Sequence, residues 1–151
     1  MTKINTEHTF LMYEGLWRAE GFYFDELNNK IPAQGEVKII HMENLWINES
    51  HIKLFNEKKT EFNHRYEIIP FEEYKEFSTW SSNDTLYGML EGTFCIIDDT
   101  ITSIYSSEKG NYRGVEFLLK LSNSVYKSRG CSFKGNSKIS SWAFSLYKFE
   151  M

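Results

Sequence analysis

Short stretches of strand-like composition follow one another along this chain, with polar or turn-forming residues between them. Aromatic and β-branched residues are frequent in each stretch, and such residues favour extended strands. Asn28-Asn29-Lys30 and Asp98-Asp99 are typical of the separating turns. The pattern predicts about ten strands: Leu16 to Asp25, Gly35 to Met42, Leu45 to Phe55, Glu61 to Ile69, Phe77 to Ser82, Tyr87 to Ile97, Thr100 to Ser106, Tyr112 to Leu121, Val125 to Phe133 and Ile139 to Phe149.

The short connections between these stretches favour an antiparallel meander. A flat sheet of this length leaves two exposed edges, whose unpaired backbone groups promote aggregation. Closing the sheet into a barrel removes both edges. We therefore predict an all-β fold, an antiparallel up-and-down β-barrel of about ten strands. A short N-terminal helical turn is expected before it, capped by Thr6, carrying Phe10, Leu11 and Tyr13 on one side and ended by Gly15.

Alternation within the eighth stretch predicts which of its faces is buried. Apolar residues dominate the odd positions of 115–121, whereas Glu116 occupies an even position. A half-buried strand usually places its apolar face against the core. We therefore predict that Arg113 and Phe117, which share the odd positions, point into the barrel.

Composition and charge narrow the possible functions. The chain is 41% hydrophobic and 17% aromatic, and no linker or low-complexity tract divides it, so residues 1–151 are predicted to form one domain. The net charge of −4 and the lack of a basic stripe argue against a nucleic-acid partner. No apolar run approaches the roughly 20 residues of a spanning helix. Cys95 and Cys131 lie in strand-like runs without a neighbouring Cys or His, which predicts reduced thiols, no metal site and a cytoplasmic protein.

Two histidines are candidates for a site inside the barrel. His41 follows Val37 and Ile39 on an apparent inward face, and His64 shares a face with Tyr66. An imidazole that faces a cavity can orient a polar head group or transfer a proton. The alternative is that each is a satisfied core or surface histidine.

Two arginines are candidates for meeting the polar end of a ligand. Arg113 precedes the apolar run of the eighth stretch, and Arg129 lies in the ninth. A buried guanidinium needs a carboxylate partner, which an anionic ligand or a strand residue such as Glu67, Glu91 or Glu116 would supply. The alternative is a solvated side chain at a strand end.

Aromatic side chains with a polar atom are the remaining candidates. Tyr66, Trp80 and Tyr126 are predicted to contact a ligand, together with Phe117. Tyr105 and Trp142 are further aromatics expected near a pocket. No nucleophile elbow, phosphate loop or dinucleotide fingerprint occurs in the sequence.

Gly15-Leu16-Trp17, at the start of the first predicted strand, resembles the Gly-Xaa-Trp signature of the calycin superfamily, which includes lipocalins, fatty-acid-binding proteins and nitrobindin-like barrels. The resemblance implies a barrel whose closed end is plugged by Trp17, with Lys148 as the basic residue of the last strand. Ten strands without a helical lid are most similar to the nitrobindin-like outline. Those barrels bind haem through a histidine near the carboxyl end, whereas this chain has no histidine after His64, so no cofactor is expected.

The function predicted from the sequence is the binding of a small apolar or amphipathic molecule inside a cytoplasmic barrel. Two alternatives stay open. One is an enzyme of the same fold, an isomerase, cyclase or hydrolase of a small hydrophobic substrate. The other is an interaction module whose interior is filled.

Overall fold

A computed structural model describes residues 7–84 and 87–150 of the chain, with ten strands. Each strand pairs antiparallel with its neighbours in sequence, and β1 pairs with β10, so the sheet closes. The predicted all-β barrel of about ten strands is confirmed. Its strands are β1 (Gly15–Phe24), β2 (Lys30–His41), β3 (Trp46–Leu54), β4 (Glu61–Ile68), β5 (Phe77–Asp84), β6 (Gly88–Ile97), β7 (Thr100–Ser107), β8 (Tyr112–Ser122), β9 (Val125–Lys134) and β10 (Ser137–Glu150).

The segment 8–14 crosses one end of the barrel, which we call the capped end. His8 Nε2 lies 2.8 Å from the carbonyl oxygen of Asp98 in the β6–β7 turn. At the far side, His41 Nε2 lies 2.7 Å from the carbonyl oxygen of Leu11. These contacts tie the segment to two separate strand connections.

The predicted N-terminal helical turn is not supported. Residues 8–14 form a turn and irregular chain, and Thr6 lies outside the described residues. Burial of Phe10 and Leu11 against the barrel end explains the local conformation better than helix propensity does. None of the described segments is a helix long and apolar enough to cross a membrane.

The hydrophobic core lies just beneath the capped end. Trp17 is fully buried, and its ring meets Phe10 and Tyr126 edge-on at centroid distances of 5.2 and 5.6 Å. The β1–β10 register places Lys148 opposite Trp17. Large aliphatic side chains complete this layer: Ile39, Ile68, Ile96, Ile101, Leu118 and Leu146.

The seam between β4 and β5 is looser than the seam beside it. Ladder pairing joins residues 67–68 to residues 80–81, whereas β3 and β4 pair along eight positions. Further from the capped end, Ser82 Oγ donates a hydrogen bond of 2.8 Å to the carbonyl oxygen of Arg65. Side chains therefore contribute to joining these strands in the half of the barrel away from the cap.

Candidate functional site in the barrel interior

Away from the capped end, the inward positions of β5 to β10 carry many small or polar side chains. Several are buried serines, and glycines occupy further inward positions between them. This half of the interior therefore contrasts with the aliphatic layer beneath the cap. The small inward residues are Ser82, Gly92, Ser103, Ser107, Gly114, Ser128, Gly130, Ser132 and Ser140.

Aromatic rings lie across three of these glycines. The register pairs Trp80 with Gly92, Tyr105 with Gly114, and Trp142 with Gly130. A Cβ atom at Gly92 or Gly130 would lie 2.3 Å from the opposing indole, and one at Gly114 would lie 2.4 Å from the phenol. Real Cβ atoms do not approach so closely, so each glycine permits a ring to lie against the barrel wall.

The hydrogen bonds of two indoles fix the rings in this position. Trp80 Nε1 donates to Ser103 Oγ at 3.1 Å, and Trp142 Nε1 donates to Glu116 Oε2 at 2.9 Å. Each indole thus reaches the strand beyond its glycine. The rings line the wall and do not extend freely into the centre.

Glu116 of β8 places a carboxylate on this surface. Its Oε2 accepts hydrogen bonds from Trp142 Nε1 and from Ser128 Oγ, the latter at 2.6 Å. Burial raises the pKa of Glu116, and these hydrogen bonds and the nearby His64 partly oppose the rise. Within residues 7–84 and 87–150, no cation forms an ion pair with Glu116 and no protein group bonds to its Oε1.

Two tyrosines border the same carboxylate. Burial raises the pKa of Tyr66 and of Tyr105 far above the ordinary value, and the negative charge of Glu116 adds to both rises. Both phenols are therefore neutral hydrogen-bond donors at physiological pH. Their ring centroids lie 4.6 and 5.7 Å from that of Trp80. We call the set Tyr66, Trp80, Tyr105, Glu116 and Trp142 the interior cluster.

His64 lies on the inward face of β4, beside the interior cluster. Its Nδ1 is 3.5 Å from Asp84 Oδ2. The backbone N–H of Tyr87 donates to Asp84 Oδ1 at 2.9 Å, which holds that carboxylate in place. The imidazole lies between Phe62 and Tyr66, each at a centroid distance of 6.1 Å. The 3.5 Å separation is longer than an ordinary hydrogen bond, and a small approach of the two groups would give the histidine–carboxylate arrangement of a general base.

The predicted orientation of β8 is wrong. Arg113 and Phe117 lie on the outer face, and Glu116 lies on the inner one. The Arg113 guanidinium is 5.6 Å from the centre of the Phe133 ring, and Phe117 is 46% exposed. The apolar face of this strand is outside because the interior here accommodates serine, glycine and a carboxylate.

Arg129 also lies on the outer face. Its Nη1 donates a hydrogen bond of 2.8 Å to the carbonyl oxygen of Ser128, its own neighbour in sequence. Arg113 and Arg129 each border a different open groove on the outside of the barrel. Trp80 and Tyr105 also line the groove beside Arg113, but both arginine side chains are exposed on the outer face, opposite to the face that carries Glu116.

His41 and Tyr126 lie at the capped end. The His41 ring stacks on Trp46 at a centroid distance of 3.9 Å. Tyr126 is fully buried, and its hydroxyl accepts the backbone N–H of Thr9 at 3.1 Å and lies 2.7 Å from His8 Nδ1. Both side chains hold the segment 8–14 in place, at a distance from the interior cluster along their strands.

Of the candidate ligand contacts predicted from the sequence, His64, Tyr66 and Trp80 come together in the structure. On the sequence alone, Glu116 has only a supporting role as a possible arginine partner, and the fifth predicted strand ends at Ser82, before Asp84. The sequence feature that marks the aromatic wall is the presence of Gly92, Gly114 and Gly130 within strands. That feature becomes readable only when the register shows an aromatic residue opposite each glycine.

Comparison with known proteins identifies the fold. No family model matches the sequence, and no curated protein matches it either. The S-type phycobiliprotein lyase CPES from Guillardia theta is a structural neighbour, with a TM-score of 0.68 over 93% of this chain and 90% of that chain, at 6% sequence identity. At this identity the similarity establishes a shared barrel fold.

Proposed function

We propose that the protein binds a small, planar, amphipathic molecule in the half of the barrel that holds the interior cluster. The observation that carries this proposal is the set of rings held against the wall by glycines. Flat aromatic surfaces at the wall suit a conjugated ring system, because offset stacking is favoured between such surfaces. A ligand site that is mostly apolar with a few fixed polar groups is the usual arrangement in binding proteins.

Residual accessibility supports a cavity between the rings. Glu116, Tyr66, Tyr105 and Trp142 point inward, yet each retains accessible surface. In a filled core such groups are enclosed on all sides. The serines and glycines around them are too small to fill the centre of a ten-stranded barrel.

The chemistry of the cluster favours a ligand that donates hydrogen bonds or carries positive charge. Glu116 Oε1 is available as an acceptor, and burial without a cation leaves its carboxylate poorly compensated. A ligand N–H or protonated nitrogen would supply the missing partner. This replaces the expectation that an arginine meets an anionic ligand.

The comparison and the capped end support a calycin-like identity for the barrel. Gly15 and Trp17 lie at the capped end with Lys148 in register, as the signature implies. The neighbour's name, phycobiliprotein lyase, makes a bilin, which is a conjugated open-chain tetrapyrrole, one probe to include. We also propose a reducing, cytoplasmic setting, because Cys95 and Cys131 are free thiols on strands that are not neighbours.

The test uses a matched pair of planar fluorophores, 9-aminoacridine and acridine-9-carboxylate, with biliverdin as the tetrapyrrole. Titration followed by tryptophan quenching should show saturable binding of the cationic amine in preference to the carboxylate. Glu116→Gln should weaken binding of the amine by roughly ten- to a hundredfold, the usual value of a hydrogen bond to a charged group. Arg113→Gln is the control and should leave the affinity unchanged, because that side chain is outside the barrel.

Two results would contradict the proposal. Equal weakening by Glu116→Gln and Arg113→Gln would place the ligand elsewhere. Failure of all three probes to bind would argue for a filled interior and against a planar ligand.

A further inference from the structure

A second group in the barrel is arranged for proton transfer. His64 and Asp84 form a histidine–carboxylate pair on the inward faces of β4 and β5, with side chains 30% and 8% exposed. A pair that served only to tie the strands would be expected to lie among inert side chains. Instead, the imidazole borders Tyr66 of the interior cluster and is close enough to influence Glu116 electrostatically.

The His64–Asp84 pair lies in the seam between β4 and β5, where side chains help to join strands that share few ladder hydrogen bonds. Ladder pairing between β4 and β5 is confined to residues 67–68 and 80–81. Continuing that antiparallel register brings position 64 opposite position 84. Alternation along β4 points His64 inward, and Asp84 lies at its Nδ1 side, so Nε2 is the nitrogen left for a ligand.

We propose that His64, oriented by Asp84, is a general base acting on the molecule bound at the interior cluster, so that the barrel is an acid–base catalyst as well as a binding protein. This inference rests on the proposed function, since the ligand must first occupy the cluster. The substrate class is a planar conjugated molecule with an acidic C–H next to a carbonyl or imine group.

The proposed reaction is a tautomerisation that balances without an oxidant or a second substrate. His64 Nε2 takes a proton from the acidic carbon, and the electron pair of the C–H bond moves into the conjugated system. The imidazolium of His64 then returns that proton at a different atom of the conjugated system, while the Glu116 carboxylate accepts a hydrogen bond from the ligand.

The experiment uses 5-nitrobenzisoxazole, a planar probe of bases in aromatic pockets. A base removes its ring C–H proton, the C–H electron pair forms the third bond of a nitrile, and the ring N–O bond breaks to release a yellow 2-cyano-4-nitrophenolate. The full-length protein should show saturable turnover. His64→Gln should lower kcat/KM by about a hundredfold, in the range of a positioned general base.

The chain offers a matched control for this variant. His51 and Glu61 form a second histidine–carboxylate pair, 2.8 Å apart, on the outside of the barrel. His51→Gln should leave the rate unchanged. Asp84→Asn, which retains an acceptor for the Tyr87 N–H, should lower kcat with little change in KM if Asp84 positions the base.

The outcomes separate this inference from the proposed function. Saturable binding of the probe, measured by tryptophan quenching, without turnover above that of free imidazole would refute the base and leave the binding site intact. Loss of turnover in Glu116→Gln but not in His64→Gln would also refute it, by assigning the base to the carboxylate. Absence of both binding and turnover would count against both proposals.

Discussion

Gly130→Ala tests whether the rings are held against the wall by glycine. The new Cβ would lie 2.3 Å from Trp142, so the indole has to move by about 1 Å or more to reach ordinary contact. That movement directs the ring toward the centre and breaks its 2.9 Å hydrogen bond to Glu116. Overpacking typically costs about 1–3 kcal/mol and the lost hydrogen bond about 0.5–1.5 kcal/mol. Replacing glycine with alanine also stabilises the folded protein by about 0.4–1 kcal/mol, because it restricts the conformations of the unfolded chain.

We therefore expect Gly130→Ala to lower the free energy of unfolding by roughly 2 kcal/mol, measured by urea denaturation. It should also weaken 9-aminoacridine binding, because the displaced indole occupies the ligand space. Gly135→Ala is the control for stability: Gly135 has φ of +58° and nothing near its Cβ position. It should cost about 1–2 kcal/mol through backbone strain and leave the affinity unchanged. Wild-type stability and affinity in Gly130→Ala would show that the ring does not lie on the wall.

Three further variants test the core and the buried ionisable groups. Trp17→Ala should lower the free energy of unfolding by about 3–5 kcal/mol, and a loss under about 1 kcal/mol would contradict its core role. Trp17→Phe should cost less, because the Trp17 Nε1 donor is buried without a partner and phenylalanine has no such donor. Because burial raises the pKa of Glu116, the contribution of this group to stability is full at acidic pH and is lost as pH rises through its folded-state pKa. The free energy of unfolding of Glu116→Gln should therefore rise relative to that of wild type between about pH 4 and 8. A constant difference in urea denaturation across that range would be inconsistent with a buried carboxyl. Burial lowers the pKa of His8, so its contribution to stability is present above the ordinary histidine value of 6.5 and is lost as pH falls below it. The hydrogen-exchange protection factors of residues 8–14, corrected for the intrinsic pH dependence of exchange, should fall on acidification in wild type and change less in His8→Gln. Identical protection profiles would separate His8 from the stability of the cap.

The strand order was predictable from the sequence because the turns are marked by residues that tolerate tight backbone conformations. Asp98, for example, adopts φ of +51° in the β6–β7 turn, and aspartate is common in such turns. The start of β2 was missed, since the strand begins at Lys30 and includes Pro32, which reads as a break. Pro32 is tolerated there because the β2–β3 ladder begins at Ala33, so its missing N–H lies beyond the paired positions and only its carbonyl oxygen bonds, to the N–H of Phe55.

The interior was less predictable because alternation shows two faces without showing which one is inside. On β8 the rule that apolar residues face inward selects Phe117, whereas the structure selects Glu116. That rule assumes an apolar interior, and a barrel that lines part of its interior with serine, glycine and a carboxylate violates it. The pairing of His64 with Asp84 was hidden for another reason, since it depends on the register of two strands joined by a long connection.

A crystal structure of the protein with 9-aminoacridine bound would show whether the interior cluster holds a planar cation. The acridine should lie inside the barrel, stacked against Trp80 or Trp142, with its nitrogen atoms within hydrogen-bond distance of Glu116. An interior filled by side chains, or the acridine bound only in the outer groove beside Arg113, would contradict the proposed binding site.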